Sequence, residues 1–215
     1  MKDIVILWIQ WSGKWTQSKK ILEKYGDKFL YYDTWRVFRA LKSNDNALGN
    51  YISTVMDKGL LMDDSFIISF FDSFMFVVEP GQYMLIDWSP RQIGQMFLMI
   101  ERMRKSKREF KVIFLDLPEE EALKRLSGRI ICKKCNKVYN KNIDGNFKTC
   151  PDCGGEMFQR QDDTPEAIKV RLEQYYKLTM PVIDYFDDKW LLIRIDARPD
   201  PDTIAQNIFD EIEKM

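Results

Sequence analysis

Apolar and polar stretches alternate along this chain in a way that predicts its elements before any motif is considered. Residues 3–8 are apolar from Ile4 onward, the pattern of a strand covered on both faces. A polar break from Gln10 to Gly13 follows. Beyond it, Lys14–Tyr25 carries Ile21, Leu22 and Tyr25 at helical spacing. The chain therefore opens as strand, loop, helix. Further buried strands are predicted at Phe29–Tyr32, Tyr83–Ile86, Val112–Leu115 and Leu191–Ile195. Helices are predicted over 34–43, 46–58, 64–75, 91–105, 118–126, 165–187 and 201–214. Asp63-Asp64 and Thr164-Pro165-Glu166 supply helix-start signals. The greasiest stretch, Phe66 to Val78, is interrupted by Ser69, Asp72 and Ser73 and reads as a buried helix running into a loop. Five strands alternating with helices predict an α/β fold with a parallel sheet wrapped on both sides.

The segment from Gly128 to Asp163 breaks this rhythm. It is polar, rich in Gly, Asn, Asp and Lys, and holds all four cysteines, so it reads as an inserted module. Cys132-x-x-Cys135 and Cys150-x-x-Cys153 are two knuckles, each able to aim two thiolates at one metal. Four thiolates make a closed tetrahedral zinc site, hence a structural one. Two disulfides or four free thiols are the alternatives. The same module would equally suit a zinc ribbon that binds nucleic acid.

Composition narrows the chemistry. The 215 residues, 45% apolar, suffice for one α/β core with small insertions. Thirty-three basic side chains balance thirty-three acidic ones, which argues against a general nucleic-acid or membrane surface. The apolar run near Met1 is too short for a secretory signal, and the expected compartment is the cytoplasm. There is no histidine, which removes Ser-His and Cys-His nucleophiles and His-ligated metals. Phosphoryl transfer run by fixed positive charges stays open.

The first loop reads Trp8-Ile9-Gln10-Trp11-Ser12-Gly13-Lys14-Trp15-Thr16. Gly13, Lys14 and Thr16 stand where a phosphate-binding loop, G-x-x-x-x-G-K with a following hydroxyl residue, has them. Three further stretches complete a likeness: Asp33-Thr34-Trp35-Arg36-Val37-Phe38-Arg39, Asp87-Trp88-Ser89-Pro90-Arg91-Gln92-Ile93-Gly94-Gln95, and Lys189-Trp190-Leu191-Leu192. With the cysteine module, the chain resembles a bacterial adenylate kinase of the zinc-lid type along almost its whole length. Trp8, Trp11, Trp15, Trp35, Trp88 and Trp190 all stand where that family has glycine, and they are all the tryptophans present. With glycine at about 7% of positions, six coincidences by chance have a probability on the order of one in ten million. A gene that uses UGA for glycine, translated with UGA as tryptophan, yields this pattern. Taken literally, the indoles of Trp11 and Trp15 are expected to crowd the phosphates.

The resemblance implies a P-loop nucleoside monophosphate kinase fold. Its core would be 1–32, 63–127 and 164–215, with an AMP-binding segment at 33–62 and a zinc lid at 128–163. It implies the Mg-dependent reaction ATP + AMP ⇌ 2 ADP, by a monomer. Lys14, Arg91, Arg129, Arg160 and Arg171 match the catalytic cations. ATP would meet 11–16 (Trp11, Ser12, Gly13, Lys14, Trp15, Thr16), Arg125, Arg129, Val138 and Tyr139. AMP would meet Thr34, Arg39, Leu60, Leu61, Met62, Trp88, Arg91, Gln95, Arg160 and Arg171. Asp87 matches the aspartate that holds Mg²⁺ through water, and Cys132, Cys135, Cys150 and Cys153 match the zinc ligands. Arg36 replaces a family aspartate, Ser89 an aromatic residue and Ile130 a second arginine at the lid edge; Phe74–Gln82 aligns poorly. The rival reading is a catalytically dead nucleotide-kinase relative that binds partners through its zinc module.

Overall fold

A computed structural model of the chain has the α/β architecture that the alternation predicts. It describes every residue except Gln10, Gly59, Trp88, Asn136, Ile143 and 160–164, and the side chains of 165–167. The described strands are β1 (Asp3–Trp8), β2 (Phe29–Asp33), β3 (Tyr83–Asp87), β4 (Phe110–Asp116), β5 (Arg129–Cys132), β6 (Val138–Asn140), β7 (Met157–Phe158) and β8 (Leu192–Asp196). Five of them form one parallel sheet in the order β2-β3-β1-β4-β8. The other three make a small antiparallel sheet, β6-β5-β7, inside the polar insertion.

The helices are α1 (Lys14–Tyr25), α2 (Thr34–Lys42), α3 (Ala47–Asp57), α4 (Asp64–Val77), α5 (Ile93–Lys105), α6 (Glu119–Ser127), α7 (Pro165–Gln174), α8 (Met180–Asp188) and α9 (Pro201–Glu213). Local chemistry starts several of them. Asp33, Asn46, Asp63 and Asp200 each accept a backbone N–H from the first turn of α2, α3, α4 and α9. Among the described residues, none of these helices is long and apolar enough to cross a membrane.

β1 lies between β3 and β4 and is buried along its whole length, which is why its sequence is continuously apolar and not alternating. From β1 the chain builds outward to one side and then, after β3, to the other. The loop leaving β1 thus emerges at the carboxyl ends of the strands where the order reverses, the usual place for a ligand crevice in such sheets. A separate small core, Phe38, Ile52, Met62 and Ile67, ties α2, α3 and α4 together.

Two elements differ from the sequence expectation. The helix predicted over 165–187 is interrupted by a π-type turn at Tyr175–Thr179. Pro181 has no N–H to give the carbonyl four residues back, and a widened turn accommodates that loss. The helix predicted at 64–75 runs on to Val77, but its end is not buried: Phe76 is 90% exposed.

Candidate active site

The loop between β1 and α1 has the backbone of an anion cradle. Trp11 and Gly13 both have positive φ, 66° and 86°, as nests that gather backbone N–H groups do, while the N–H of Ser12 between them donates to the Ile9 carbonyl at 3.3 Å. Gly13 caps α1 without any side-chain bond, which leaves the helix's first N–H groups available to a ligand. Ser12 is fully buried, and its Oγ has no hydrogen-bond partner among the described residues. An orphan hydroxyl inside such a loop suits a phosphate oxygen.

Cations from three separate stretches meet at this loop. Lys14 forms an ion pair with Asp87, with 2.7 Å between Nζ and Oδ1. The same ammonium lies 4.2 Å from the ring centroid of Trp8, and the guanidinium of Arg91 is 6.0 Å from that ring. Arg129, from β5, lies over Trp11 at 5.3 Å. Lys14, Arg91 and Arg129, distant in sequence, are thus gathered on two indoles of one loop. Arg91 is buried, its Nε donating to Thr179 Oγ1 at 3.1 Å and its backbone N–H to Gln95 Oε1 at 2.9 Å. Burial lowers its pKa to about 10, which leaves it charged at neutral pH.

Five of the ten residues assigned to AMP line one cleft. Leu60, Leu61, Met62, Arg91 and Gln95 line it together with Trp35, Phe38 and Ile67. Its free volume is only about 10 Å³, far less than a nucleotide needs. Thr34 is buried beside it, and Arg39 lies 5.9 Å over the Trp35 ring. A much larger hollow, about 720 Å³, opens between α6 and α7 and is lined by Leu123, Ile168, Leu172 and Tyr176 among others. Among the described residues, none of those assigned to nucleotide lines it, so size alone does not mark the site.

The remaining assigned residues are more scattered. Thr16 is in the first turn of α1. Arg125 is held by the carbonyls of Ala197 and Arg198 at 2.9 and 3.0 Å. Val138 is exposed on β6, whereas the Tyr139 hydroxyl turns toward Cys150 Sγ at 3.5 Å and so faces the cysteines. Arg171 stands on α7. Arg160 and Trp88 lie outside the described residues.

The five described tryptophans divide into two kinds. Trp11 and Trp190 occupy the left-handed region, at φ 66° and 57°, where a side chain is strained. Trp8, Trp15 and Trp35 sit in β1, α1 and α2 with ordinary dihedrals, so there the objection is bulk and not backbone. Trp15 does not crowd the loop as expected: it is 49% exposed, and its ring is approached by Lys19, one turn further along the helix. Trp8, at the end of a strand, takes that place.

Asp87 is fully buried at the end of β3. Besides Lys14 it accepts Tyr31 Oη at 2.6 Å and Ser18 Oγ at 3.5 Å on Oδ2. Asp33 is level with it across the β2–β3 ladder. Carboxylate oxygens at a phosphate-loop mouth are the hard donors that Mg²⁺ and its waters take. Tyr31, Ser18 and Thr179 escaped the motif reading because none belongs to a motif. The period of two along β2, which puts Tyr31 on the face of Asp33, was the available signal.

In the insertion, the four cysteine sulfurs all lie within 4.8 Å of one another. Cys132 and Cys153 are 3.4 Å apart and Cys135 and Cys150 3.7 Å, with no disulfide between them. A tetrahedron of sulfurs at about 2.3 Å from zinc has edges of about 3.8 Å, so the cluster could hold such an ion. The N–H groups of Lys134 and Cys135 both point at Cys132 Sγ at 3.4 Å, the mark of a knuckle. Burial opposes charge on Cys150, yet the Tyr139 hydroxyl and the N–H groups of Asp152 and Cys153 bring its pKa down to about 6.

Comparisons with known proteins give the family. The adenylate kinase family model matches residues 9–191. The chain belongs to the adenylate kinase family. It is 33% identical to an adenylate kinase of Chlamydia abortus over 197 residues, 92% of this chain and 91% of that one. It is 31% identical to an adenylate kinase of Lactobacillus johnsonii, covering 100% of this chain and 98% of the other. An adenylate kinase is a phosphotransferase, and membership implies ATP, AMP and ADP as substrates, with Mg²⁺ accompanying ATP. The parallel sheet of five strands flanked by helices is consistent with the nucleoside monophosphate kinase fold.

Proposed function

We propose that this adenylate kinase carries out ATP + AMP ⇌ 2 ADP at the loop of residues 8–14, with glycine in the native protein at the six positions written as tryptophan. The observation that carries the reading is the convergence of Lys14, Arg91 and Arg129 on the Trp8 and Trp11 rings. With glycine there, the same three cations would face an open cradle of backbone N–H groups. Phosphoryl transfer asks for this: fixed positive charge and alignment, with little covalent chemistry. Lys14 and Arg129 would neutralise the phosphates of ATP, and Arg91 would hold the phosphate of AMP beside Gln95. Arg160 and Arg171 would complete the charge around the transferred group. Mg²⁺, held through water near Asp87, would supply further neutralisation of the triphosphate.

Residues 128–163 would act as a lid that excludes water, made rigid by zinc on Cys132, Cys135, Cys150 and Cys153. Residues 33–62 would form the AMP-binding segment. Expectations of a monomer in the cytoplasm that meets neither nucleic acid nor membrane belong to the same reading.

A second reading rests on the indoles themselves. If they are genuine, Trp8 and Trp11 occupy the places of the phosphates, and the chain is a catalytically dead relative with a zinc-ribbon binding module. A coupled assay of the six-glycine chain against AMP, CMP, UMP and GMP separates the possibilities. Turnover with AMP above the others supports the proposal. Preference for another monophosphate would reassign the acceptor, and no turnover with any would favour the binding module.

A further inference from the structure

We propose that Tyr31 is a positioning residue, setting the ammonium of Lys14 through the buried carboxylate of Asp87. The proposal deepens the kinase reading, in which Lys14 is the phosphate-contacting lysine.

Strand geometry explains how a residue outside every motif reaches the site. Tyr31 pairs with Leu85 and Asp33 with Asp87 across the parallel β2–β3 ladder. Side chains two apart share a face of a strand. Tyr31 is therefore the diagonal neighbour of Asp87 on one face of the sheet, and only a long side chain spans that distance. Its Oη donates to Asp87 Oδ2 at 2.6 Å, while Oδ1 faces Lys14 Nζ at 2.7 Å. The remaining donor to Oδ2, Ser18 Oγ, is at 3.5 Å and is weak.

Oδ2 thus has one strong hydrogen bond, and Oδ1 has the ion pair with Lys14 and no hydrogen-bond partner of its own among the described residues. The carboxylate cannot rotate without losing both, so the ammonium is fixed before a ligand arrives. The arrangement also meets a difficulty of the buried charge. When Lys14 turns to a phosphate, Asp87, which has no exposed surface, gives up its cation. A buried carboxylate left bare is costly, and the Tyr31 hydroxyl keeps one strong bond on it. Burial, with Asp87 and Asp33 nearby, pushes the phenol pKa far up, so Tyr31 remains a donor throughout the working range.

The test is the acylation rate of Lys14 by a small amine reagent at one pH, read by peptide mass spectrometry with Lys19 and Lys20 as internal references. Tyr31→Phe keeps the ring and removes only the hydroxyl, and Asp87→Asn keeps the shape. The expected result is a change of at least about threefold in the Lys14 rate in Tyr31→Phe that disappears when Asp87→Asn is also present. No change, or the same change in both backgrounds, would overturn the proposal, because the tyrosine would then act by packing alone. In the six-glycine chain, Tyr31→Phe should in addition lower kcat about tenfold with KM for AMP within about twofold. An inactive six-glycine parent would count against the kinase reading, while the labelling still decides the role of Tyr31.

Discussion

Lys14 Nζ lies 4.2 Å from the centre of the Trp8 ring, on the side of the loop where its charge also meets Asp87. The lysine proposed to neutralise phosphate is here engaged by an indole and a carboxylate from its own chain. Cation–π contacts of this kind are worth about 0.5–2 kcal/mol each, so the indoles compete with a ligand by charge as well as by volume. Replacing only Trp8 and Trp11 by glycine should therefore recover most of the ATP affinity that all six replacements recover. Titration calorimetry with ATP checks this; equal recovery from the Trp15 and Trp35 pair would contradict it.

Trp190 gives a test that needs no nucleotide. Its N–H bonds to the Asp187 carbonyl and that of Leu191 to the Phe186 carbonyl, the paired bonds that end a helix with a left-handed residue. The side chain is 87% exposed and contributes little packing. Trp190→Gly should stabilise the protein by about 1 kcal/mol, a Tm rise of about 2–4 °C. Lys107 ends α5 with the same pair of bonds at φ 52°, and Lys107→Gly should raise Tm similarly. A fall in Tm for Trp190→Gly would mean that the indole has a packing role.

The cysteine module should depend on metal. Four sulfurs within 4.8 Å, in a sheet of three short strands with little core, imply that removing zinc melts 128–163 before the main sheet. A strong chelator, or Cys132→Ser, should make these residues exchange amide hydrogens faster while β1 and β4 stay protected. Unchanged protection of the module would argue that its fold needs no metal.

Arg91 should matter more to one nucleotide than to the other. Its buried guanidinium lines the cleft of Leu60–Met62 and Gln95. In the six-glycine chain, Arg91→Ala should raise KM for AMP about 10–100-fold and change ATP affinity by much less. Equal losses for both would place Arg91 at the shared phosphate.

Much of this was legible from residue order. The alternation of apolar runs and helical periods predicted all five strands of the main sheet, because even the half-buried edge strands β2 and β8 keep apolar runs between polar segments. The cysteine spacing predicted the cluster, since two knuckles have few other ways to pair. The π turn at Tyr175–Thr179 was not legible, because Pro181 reads equally as a helix break or a distortion. Tyr31 was missed for a different reason: its role depends on which strand lies beside β2, and only the folded sheet fixes that. Trp15 was misplaced because a helical position rotates the side chain away from the loop that its sequence neighbours form.

The origin of the six residues can be read chemically. Protein purified from its native source should give peptides with glycine at 8, 11, 15, 35, 88 and 190, and the gene should carry UGA at each. Such a protein contains no tryptophan at all, so its emission on excitation should lack an indole band. A native indole signal, or UGG at these codons, would leave the tryptophans genuine.

Side-by-side turnover of the two forms bears most directly on the site. The tryptophan chain and the six-glycine chain should both fold, since of the described tryptophans Trp8 alone belongs to the buried core and Trp11 packs against its edge. ADP formed from ATP and AMP should be negligible for the first and sustained, Mg-dependent and abolished by Lys14→Ala for the second. Comparable turnover by both, or none by a folded six-glycine chain, would contradict the assignment of the loop at 8–14 as the phosphate site.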